Sequence, residues 1–333
     1  MRQIKQISIL LLLVLCLQAV SFSQVKNVET VGFTVKDMER SIKFYTEVLG
    51  FQKMSDEEIY GEEIETVKGV FGIHLRIVRM KLGDEVIELT DYLTTGGRSI
   101  PEDAKSNDLS FQHIAIVVSD MEKAFAQLRK HHIEFVSTAP QTLPKSIPAA
   151  EGIKAFYFHD PDDHNLELIW FPKGKGQNKW QQPNGRLFLG IDHTAIGISN
   201  TGNSHSFYNV LLGIERKGDS WNKGTEQEHL NNVKGASLHI TGYRAKKGIG
   251  VEFLEYVVPG PGKKYPADTR ADDLWYWQTT FVVDDAHAVY DKLRSSDVVL
   301  VSEPVHLNYN KQHCIAFTAK DPDGHAVLII QKL

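Results

Sequence analysis

Two segments indicate the fold of the chain: the stretch His113-Ile114-Ala115-Ile116-Val117-Val118 and the later Leu166-Glu167-Leu168. Both segments have the apolar character of buried β-strands, and each carries one polar side chain that metal ions accept as a ligand. Because side chains alternate between the two faces of a strand, His113 and Glu167 can point into one concave surface. The same two-strand frame occurs four times in the chain, with the polar positions altered each time.

The composition is that of a soluble globular protein. The chain has 333 residues, of which 42% are hydrophobic and 24% charged, enough for two domains. The formal net charge of −5 gives no indication of a nucleic acid or an anionic membrane as a partner. Cys314 lies in an apolar run, which indicates a small buried core residue rather than a nucleophile.

The first 23 residues have the pattern of a secretory signal peptide. Two basic residues precede an apolar run from residue 7 to residue 20, and Ser21-Phe22-Ser23 supplies small residues before a cleavage at Gln24. The run is too short to span a membrane. The sequence therefore predicts an exported protein, periplasmic or secreted, without a membrane contact after cleavage. A membrane or lipid anchor at Cys16 is the alternative, and the bulky Leu15 before it disfavours the lipid anchor.

Each of the four repeats begins with a strand, continues into a helix and ends in a hairpin. Helices are predicted over residues 38–49, 121–130, 204–212 and 286–293. Asp37 and Asp120 precede the first two helices as N-caps. Leu82-Gly83-Asp84 has the composition of a hairpin turn.

Odd repeats are similar to odd repeats and even to even, because an Asp-Pro-Asp turn occurs only at 160–162 and 321–323. This indicates the duplication of a two-repeat unit. Residues 173–186, rich in Gly, Lys, Gln and Asn, are predicted to be the linker between domains at 24–172 and 187–333. Three histidines that flank the Asp-Pro-Asp turns are expected to be exposed: His159, His164 and His325.

This order of elements resembles the βαβββ module of the vicinal oxygen chelate superfamily. The resemblance rests on the Asp-capped helix with Phe44-Tyr45 and Leu49-Gly50, the hairpin, and the closing strand after Asp-Pro-Asp, and it extends from about residue 27 to residue 333. The superfamily includes glyoxalase I, bleomycin and fosfomycin resistance proteins, methylmalonyl-CoA epimerase and extradiol dioxygenases. The resemblance implies an α+β fold in which paired modules form U-shaped mixed sheets around a cavity, with metal ligands on the first and last strands of each module.

Neighbouring repeats are expected to pair, and the implied ligand positions are then unequal in the two halves. The first half has Thr30, Glu88, His113 and Glu167, and the second has His193, Glu252, Thr279 and Leu328. We therefore predict a metal site of Glu88, His113 and Glu167, suited to Zn²⁺, Mn²⁺, Fe²⁺, Ni²⁺ or Co²⁺. The second cavity is expected to be degenerate, with His193 and Glu252 as a polar pair in its wall.

A metal-dependent isomerase, epimerase or lyase that acts on a small hydroxy-carbonyl substrate is the first hypothesis. Glu88 or Glu167 would take a proton beside the metal and so form an enediolate. A binding protein that holds a small molecule without turnover is the main alternative. A ring-cleaving dioxygenase is disfavoured by Thr279 and Leu328, and an exported protein would lack the thiol pool that a thiol-dependent glyoxalase needs. The sequence leaves open whether the protein is a monomer or a homodimer.

Overall fold

The computed structural model describes residues 24–333, and the predicted signal peptide lies outside this range. Four modules follow one another along the chain. Module 1 comprises β1 (Asn27–Thr34), α1 (Met38–Glu47), β2 (Gln52–Tyr60), α2 (Glu62–Lys68), β3 (His74–Leu82) and β4 (Glu85–Tyr92). Module 2 comprises β5 (Gln112–Val118), α3 (Met121–Lys130), β6 (Gln141–Thr142), β7 (Lys154–His159) and β8 (Asn165–Trp170).

The second half repeats this plan. Module 3 comprises β9 (Phe188–Ile198), α4 (Thr201–His205, continued by a π-helix at Ser206–Leu211), β10 (Glu215–Lys223), α5 (Thr225–Asn231), β11 (Ser237–Arg244), β12 (Lys247–Gly248) and β13 (Gly250–Val258). Module 4 comprises β14 (Trp277–Val283), α6 (Ala286–Arg294), β15 (Val299–Leu300), β16 (Val305–Tyr309), β17 (Gln312–Lys320) and β18 (Ala326–Lys332). The fold is α+β, as the resemblance implied.

The two sheets combine the modules in a different way from the expected pairing of module 1 with module 2 and of module 3 with module 4. One sheet has the order β15-β17-β18-β14-β1-β4-β3-β2, and the other β10-β11-β13-β9-β5-β8-β7-β6. Strand β1 pairs antiparallel with β14, and β5 pairs antiparallel with β9. Module 1 therefore shares a sheet with module 4, and module 2 with module 3. The expectation that modules 1 and 2 enclose one cavity is wrong, because the first strands of those modules lie in different sheets.

Strand register also corrects one position in module 4. In module 2, His113 pairs with Asn165, the first residue after the sequence Asp-Pro-Asp-Asp-His. In module 4, the residue after the corresponding turn is Ala326, and its partner is Gln278. The structural counterpart of His113 is therefore Gln278, not Thr279. A shift of one residue exchanges the two faces of a strand.

Local sequence signals place most helices correctly. The predicted N-caps Asp37 and Asp120 are confirmed, because their side chains accept hydrogen bonds from the backbone N–H groups of Arg40 and Lys123 at 3.0 Å. The hairpin turn between β3 and β4 is also confirmed, with Gly83 at φ +64°. The short helices α2 and α5 were not predicted. Each lies in an odd module, and each ends at a residue followed by a left-handed position.

The Asp-Pro-Asp turns tie neighbouring modules together. In module 2 the His164 imidazole lies 2.9 Å from Asp160, which also accepts a hydrogen bond from the Tyr45 hydroxyl of module 1. In module 4, Asp321 accepts the corresponding bond from Tyr208 of module 3. His164 and the equivalent His325 are buried, so the expectation that they are exposed is wrong. They are buried because each imidazole pairs with the first aspartate of its turn.

We expect the Asp160–His164 pair to make stability depend on pH. Burial raises the pKa of Asp160, but His164 and backbone N–H groups outweigh it, so the pKa lies below the ordinary 3.8. Burial lowers the pKa of His164, but Asp160 outweighs it, so that pKa lies above the ordinary 6.5. The aspartate therefore stabilises the fold above pH 3.8 and loses this effect as the pH falls. The histidine stabilises it below pH 6.5 and loses this effect as the pH rises through its folded-state pKa.

The test is to compare Asp160→Asn with the natural protein. We expect the substitution to lower the unfolding free energy by about 1.5 to 3 kcal/mol at pH 5.5, and by less at pH 8.5, as measured by urea denaturation. Asp163→Asn, at the exposed neighbouring position, is the control and should show no such pH dependence. An equal loss at both pH values would contradict the assignment of a charged histidine.

The linker between the halves packs against the second sheet. Residues 178–181 form a short 3₁₀ helix, and the buried Trp180 donates a hydrogen bond through Nε1 to Asp192 at 2.6 Å. This segment therefore carries part of the wall of the chamber that modules 2 and 3 form. Of the helices within residues 24–333, none is both long enough and apolar enough to cross a membrane.

Candidate metal centre

Two strands of module 2 and two strands of module 3 bring four ligand-type side chains into one chamber. His113 lies on β5, Glu167 on β8, His193 on β9 and Glu252 on β13. These strands are adjacent in the sheet order, and the side chains face the concave surface. We call this the His–Glu chamber. Each module contributes one histidine from its first strand and one glutamate from its last.

The distances are those of a compact cluster. His113 Nε2 lies 3.1 Å from Glu167 Oε2, and His193 Nε2 lies 3.6 Å from Glu167 Oε2 and 3.6 Å from Glu252 Oε1. Ligand atoms of His113, Glu167 and His193 all lie within 4.8 Å of one another. In the described part of the chain this is the only group of three or more His, Cys, Asp or Glu residues with such spacing.

Electrostatics make the chamber favourable for a positive charge. Burial lowers the pKa of His193, but Glu252, Asp192 and Glu167 outweigh it and raise the pKa to about 9. Burial lowers the pKa of His113, and Glu167 opposes this only in part. Burial also raises the pKa of Glu252, in spite of His193. A proton on His193 is therefore the cation that balances the carboxylates when no other cation is bound, and metal binding would release it.

Asp192 orients His193 from behind. Its Oδ2 lies 3.1 Å from His193 Nδ1, and this contact turns Nε2 toward the two glutamates. The Asp192 carboxylate is itself held by Arg244 at 2.6 Å and by Trp180 at 2.6 Å. A carboxylate on the far nitrogen of a histidine is the usual second layer of a metal site, because it fixes the tautomer and the ring orientation.

Replacing Asp192 should weaken metal binding without removing a ligand. We expect Asp192→Asn to reduce metal affinity about 10- to 100-fold, the range found for such outer partners, in a competition titration against a chromophoric chelator. Asn200→Ala, which removes a helix cap on the same module, should leave the affinity unchanged and serves as the control. An unchanged affinity for Asp192→Asn would show that His193 needs no orienting partner.

The residues present fit a divalent transition metal. The donor set is two imidazole nitrogens and two carboxylate oxygens, which suits Zn²⁺, Mn²⁺, Fe²⁺, Ni²⁺ or Co²⁺. Ligand atoms about 2.0 to 2.2 Å from one ion lie about 3 to 4 Å apart, and the three contacts above lie in or near this range. His193 Nε2 is buried and makes no hydrogen bond with any residue in 24–333. A buried polar atom without a partner indicates a missing ligand.

Glu88 does not join this cluster, which corrects the predicted set of Glu88, His113 and Glu167. Because module 1 pairs with module 4, Glu88 lies in the other chamber with Thr30, Gln278 and Leu328 at the corresponding positions. There it forms an ion pair with Arg79 at 3.1 Å and accepts a hydrogen bond from the Tyr309 hydroxyl. The metal role of His113 and Glu167 stays a prediction, now with different partners. We call the chamber of Glu88 the Lys–Arg chamber.

Basic side chains fill the Lys–Arg chamber. Lys68, the last residue of α2, is buried and donates to Gln278 Oε1 at 3.0 Å. Burial lowers the pKa of Lys68, and the nearby Glu88 opposes the shift. The strand position that Arg79 occupies opposite Glu88 belongs to Gly242 opposite Glu252 in the His–Glu chamber. The Arg79 guanidinium therefore occupies a position that has no side chain in the His–Glu chamber.

The two curled sheets and the repeated modules define a two-domain protein built from βαβββ modules. The family model described as "Glyoxalase/Bleomycin resistance protein/Dioxygenase superfamily" matches residues 27–168 and 190–329. The chain belongs to this superfamily. Each match covers two consecutive modules, in agreement with a duplicated two-module unit.

Glyoxalase I proteins are among the relatives with similarity along almost the whole chain. The chain is 25% identical over 327 residues to "Glyoxalase I" of Saccharomyces cerevisiae, covering 89% of each protein. It is 30% identical over 152 residues to a "2-epi-5-epi-valiolone epimerase" of Actinomyces sp., covering 44% of this chain and 80% of the relative. The crystal structure of glyoxalase I from Zea mays superposes with a TM-score of 0.61 at 16% identity, covering 93% and 92% of the two chains. At 16% identity, the similarity to the Zea mays structure shows a common fold only.

Sequence reasoning assigned His193 and Glu252 to a degenerate cavity, and the structure places them with His113 and Glu167. The error came from pairing modules by their order along the chain. One signal in the sequence favoured the observed pairing. Modules 2 and 3 each keep a histidine on the first strand and a glutamate on the last, whereas module 1 has lost the first-strand histidine and module 4 has lost both.

Proposed function

We propose that the protein is a metal-dependent isomerase, epimerase or lyase whose active site is the His–Glu chamber. The observation that carries the proposal is the cluster of His113, Glu167 and His193, with Glu252 in contact with His193, on four adjacent strands. Similarity to a glyoxalase I and to an epimerase supports the reaction class. The substrate class is a small molecule with neighbouring hydroxyl and carbonyl oxygens. His113, Glu167, His193 and Glu252 would hold the ion.

A divalent cation in this chamber would act as a Lewis acid toward the two substrate oxygens. The side chains divide the remaining work according to their exposure. The Glu252 side chain is 28% exposed and that of Glu167 only 6%, so Glu252 lies at the accessible end. Glu252 is placed to take the proton from the carbon that bears the hydroxyl group. The C–H electron pair then forms a C=C bond to the carbonyl carbon, and the carbonyl π electrons move to the carbonyl oxygen. Return of that proton to the former carbonyl carbon, with transfer of the hydroxyl proton to the former carbonyl oxygen, completes an isomerisation. Protonation of the original carbon by solvent on its opposite face gives an epimer.

The test is proton exchange in heavy water. The protein is loaded with Zn²⁺, Ni²⁺ or Co²⁺ in turn and incubated with hydroxy-carbonyl compounds, and deuterium at the carbon next to the carbonyl is followed by NMR. We expect exchange with the natural protein and none with Glu252→Gln. Glu255→Gln is the control, because an odd offset along β13 places that residue on the opposite face. Absence of bound metal after careful loading would refute the proposal.

A glyoxalase I reaction is the second candidate, favoured by similarity that extends over 89% of both chains. Its substrate would be the adduct of a thiol with a 2-oxoaldehyde. The same protein is assayed with methylglyoxal in the presence and absence of glutathione. Turnover that requires the thiol would favour this candidate, and turnover or exchange without the thiol would favour the first.

We also infer that the protein is exported, on the apolar pattern of residues 1–23. Expression of the full chain followed by fractionation and N-terminal sequencing tests this. A mature protein that begins at Gln24 outside the cytoplasm is the expected result. Retention of Met1 in the cytoplasm would refute the inference.

A further inference from the structure

Strand β9 carries a β-bulge at the residue that precedes a candidate ligand. Two consecutive residues of β5, Ala115 and Ile116, pair with His193 and Ile191 of β9. Asp192 is therefore an extra residue between two cross-strand pairs. A bulge bends its strand and changes the direction of nearby side chains, and bulges are frequent beside active sites. Because His193 directly follows the bulge, the conformation of the bulge sets the direction of its imidazole.

The linker between the two halves holds the carboxylate of the bulged residue. Trp180 Nε1 donates to Asp192 Oδ1 at 2.6 Å, and Gln177 Nε2 donates to the same oxygen at 3.0 Å. Gln177 is the N-cap of the short helix Asn178–Gln181, which we call the linker helix. Trp180 and Asp192 are both buried. With Oδ1 held in this way, Oδ2 is directed toward His193 Nδ1 at 3.1 Å.

A hairpin of module 1 holds the backbone on the other side of the bulge. Glu85, the first residue of β4, accepts a hydrogen bond from the Ile191 N–H at 3.1 Å. Lys179 of the linker helix forms an ion pair with the same carboxylate. Glu85 is buried. The linker helix and this hairpin are thus bound to each other, and together they contact the two residues that precede His193.

The approach of these groups to β9 leaves no space for a side chain at Gly190. A Cβ atom at this position would lie 2.9 Å from the Trp180 ring and would also overlap the Glu85 carboxylate. Only glycine permits such a close approach to the backbone. The linker helix and the hairpin therefore pack tightly on β9, directly beside the bulge.

The first strand of module 1 has the same kind of bulge with a different support. The pairing of β1 with β14 skips Glu29, and Thr30 follows at the position that His193 has in β9. Glu29 forms an ion pair with Lys332, whose side chain is 37% exposed. Of the two bulges, the one beside the histidine is thus the one with buried donors from the linker.

We propose that the linker helix and Glu85 are positioning elements of the metal centre: they fix the bulge at Asp192 and so hold the His193 imidazole in the direction that a bound ion requires. This inference rests on the proposed function, because it needs an ion at the His–Glu cluster. Trp180 acts through Asp192, and Glu85 acts through the backbone of Ile191. Module 1 thus contributes to the metal site without providing a ligand.

Trp180→Phe tests the contact with the Asp192 carboxylate. The substitution retains an aromatic ring and removes the Nε1 donor. We expect the affinity for Co²⁺ to fall about three- to tenfold, less than for a residue that contacts the ligand directly, in a competition titration against a chromophoric chelator. The visible absorption of the Co²⁺-saturated protein, which reports coordination geometry, should change as well. A loss of stability alone would not change that spectrum.

A double-variant cycle shows whether Trp180 acts through Asp192. We expect Trp180→Phe to lower the affinity of the natural chain but to have almost no effect in the Asp192→Ala background. Gln181→Ala is the matched control, because Gln181 donates to the carbonyl groups of Pro172 and Lys175 within the same connection. It should leave affinity and spectrum unchanged. Additive losses, or an equal loss in Gln181→Ala, would overturn the inference.

Glu85 variants test the contact with the backbone. Glu85→Ala removes the acceptor of the Ile191 N–H, so we expect a similar fall in Co²⁺ affinity. Glu85→Gln retains an oxygen acceptor and should restore most of the affinity. If Glu85→Ala does not fold, the Trp180 cycle still tests the inference. An unchanged affinity in folded Trp180→Phe or folded Glu85→Ala would overturn it. Failure of the natural protein to bind Co²⁺ would instead overturn the proposed function.

Discussion

His193→Ala should abolish metal binding at the His–Glu chamber and with it the activity. His193 Nε2 lies between the carboxylates of Glu167 and Glu252, 3.6 Å from each. Its loss removes one of two nitrogen donors and leaves the carboxylates of Glu167 and Glu252 without the cation that His193 supplies when protonated. Outer partners of metal ligands are worth about 10- to 100-fold in affinity, so removal of a ligand itself should cost more than about 100-fold. Metal content after gel filtration and a chelator competition titration measure the change.

A second histidine of the same module provides the control. His239 stacks on Trp221 and contacts Asp219, and its odd offset from Gly242 on β11 places it on the sheet face away from the chamber. His239→Ala should keep full metal content. Equal metal content in both variants would show that the cluster binds no ion through His193, and the proposed reaction would lose its basis.

The sequence predicts the secondary structure of each module more reliably than it predicts which modules share a sheet. Strand, cap and turn signals are local, and hydrogen bonds such as that from the Arg40 N–H to Asp37 form within a few residues. Sheet pairing between β1 and β14 joins residues about 250 positions apart, and no local propensity encodes it. The predicted convergence of Glu88 with His113 and Glu167 is wrong for this reason, although the strand that carries Glu88 was predicted correctly.

Two further differences from the sequence predictions come from the strand register in module 4 and from the short helices α2 and α5. Gln112 and Gln278 are similar in sequence context, but the sheet register aligns Gln278 with His113. Helices α2 and α5 are only seven residues long and have little apolar periodicity, yet they carry Lys68 and Asn231 into the chambers. These two elements bring different side chains, Lys68 and Asn231, to otherwise equivalent chambers.

Glu88→Gln should destabilise the fold while metal content stays unchanged, the opposite of the result expected for His193→Ala. Glu88 is buried and pairs with the buried Arg79. Burial lowers the pKa of Arg79, but Glu88, Tyr309 and Glu29 outweigh it and keep the pKa above its ordinary value. Loss of the carboxylate charge leaves a guanidinium without its partner in a buried environment, which costs about 3 to 5 kcal/mol. Urea denaturation of the metal-free protein gives the unfolding free energy.

A double variant shows whether the stability is lost because the Glu88–Arg79 ion pair is absent or because Arg79 stays buried without a partner. Because a buried ion pair replaced by apolar side chains of similar size is often close to neutral, Glu88→Leu combined with Arg79→Met should be more stable than Glu88→Gln alone. Glu58→Gln, at an exposed position of β2, should change the unfolding free energy by less than about 0.5 kcal/mol. A loss of metal in Glu88→Gln would contradict the separation of the two chambers. Glu88 has Arg79 and Lys68 as cationic neighbours within the protein, so we expect it to contribute to stability rather than to metal binding.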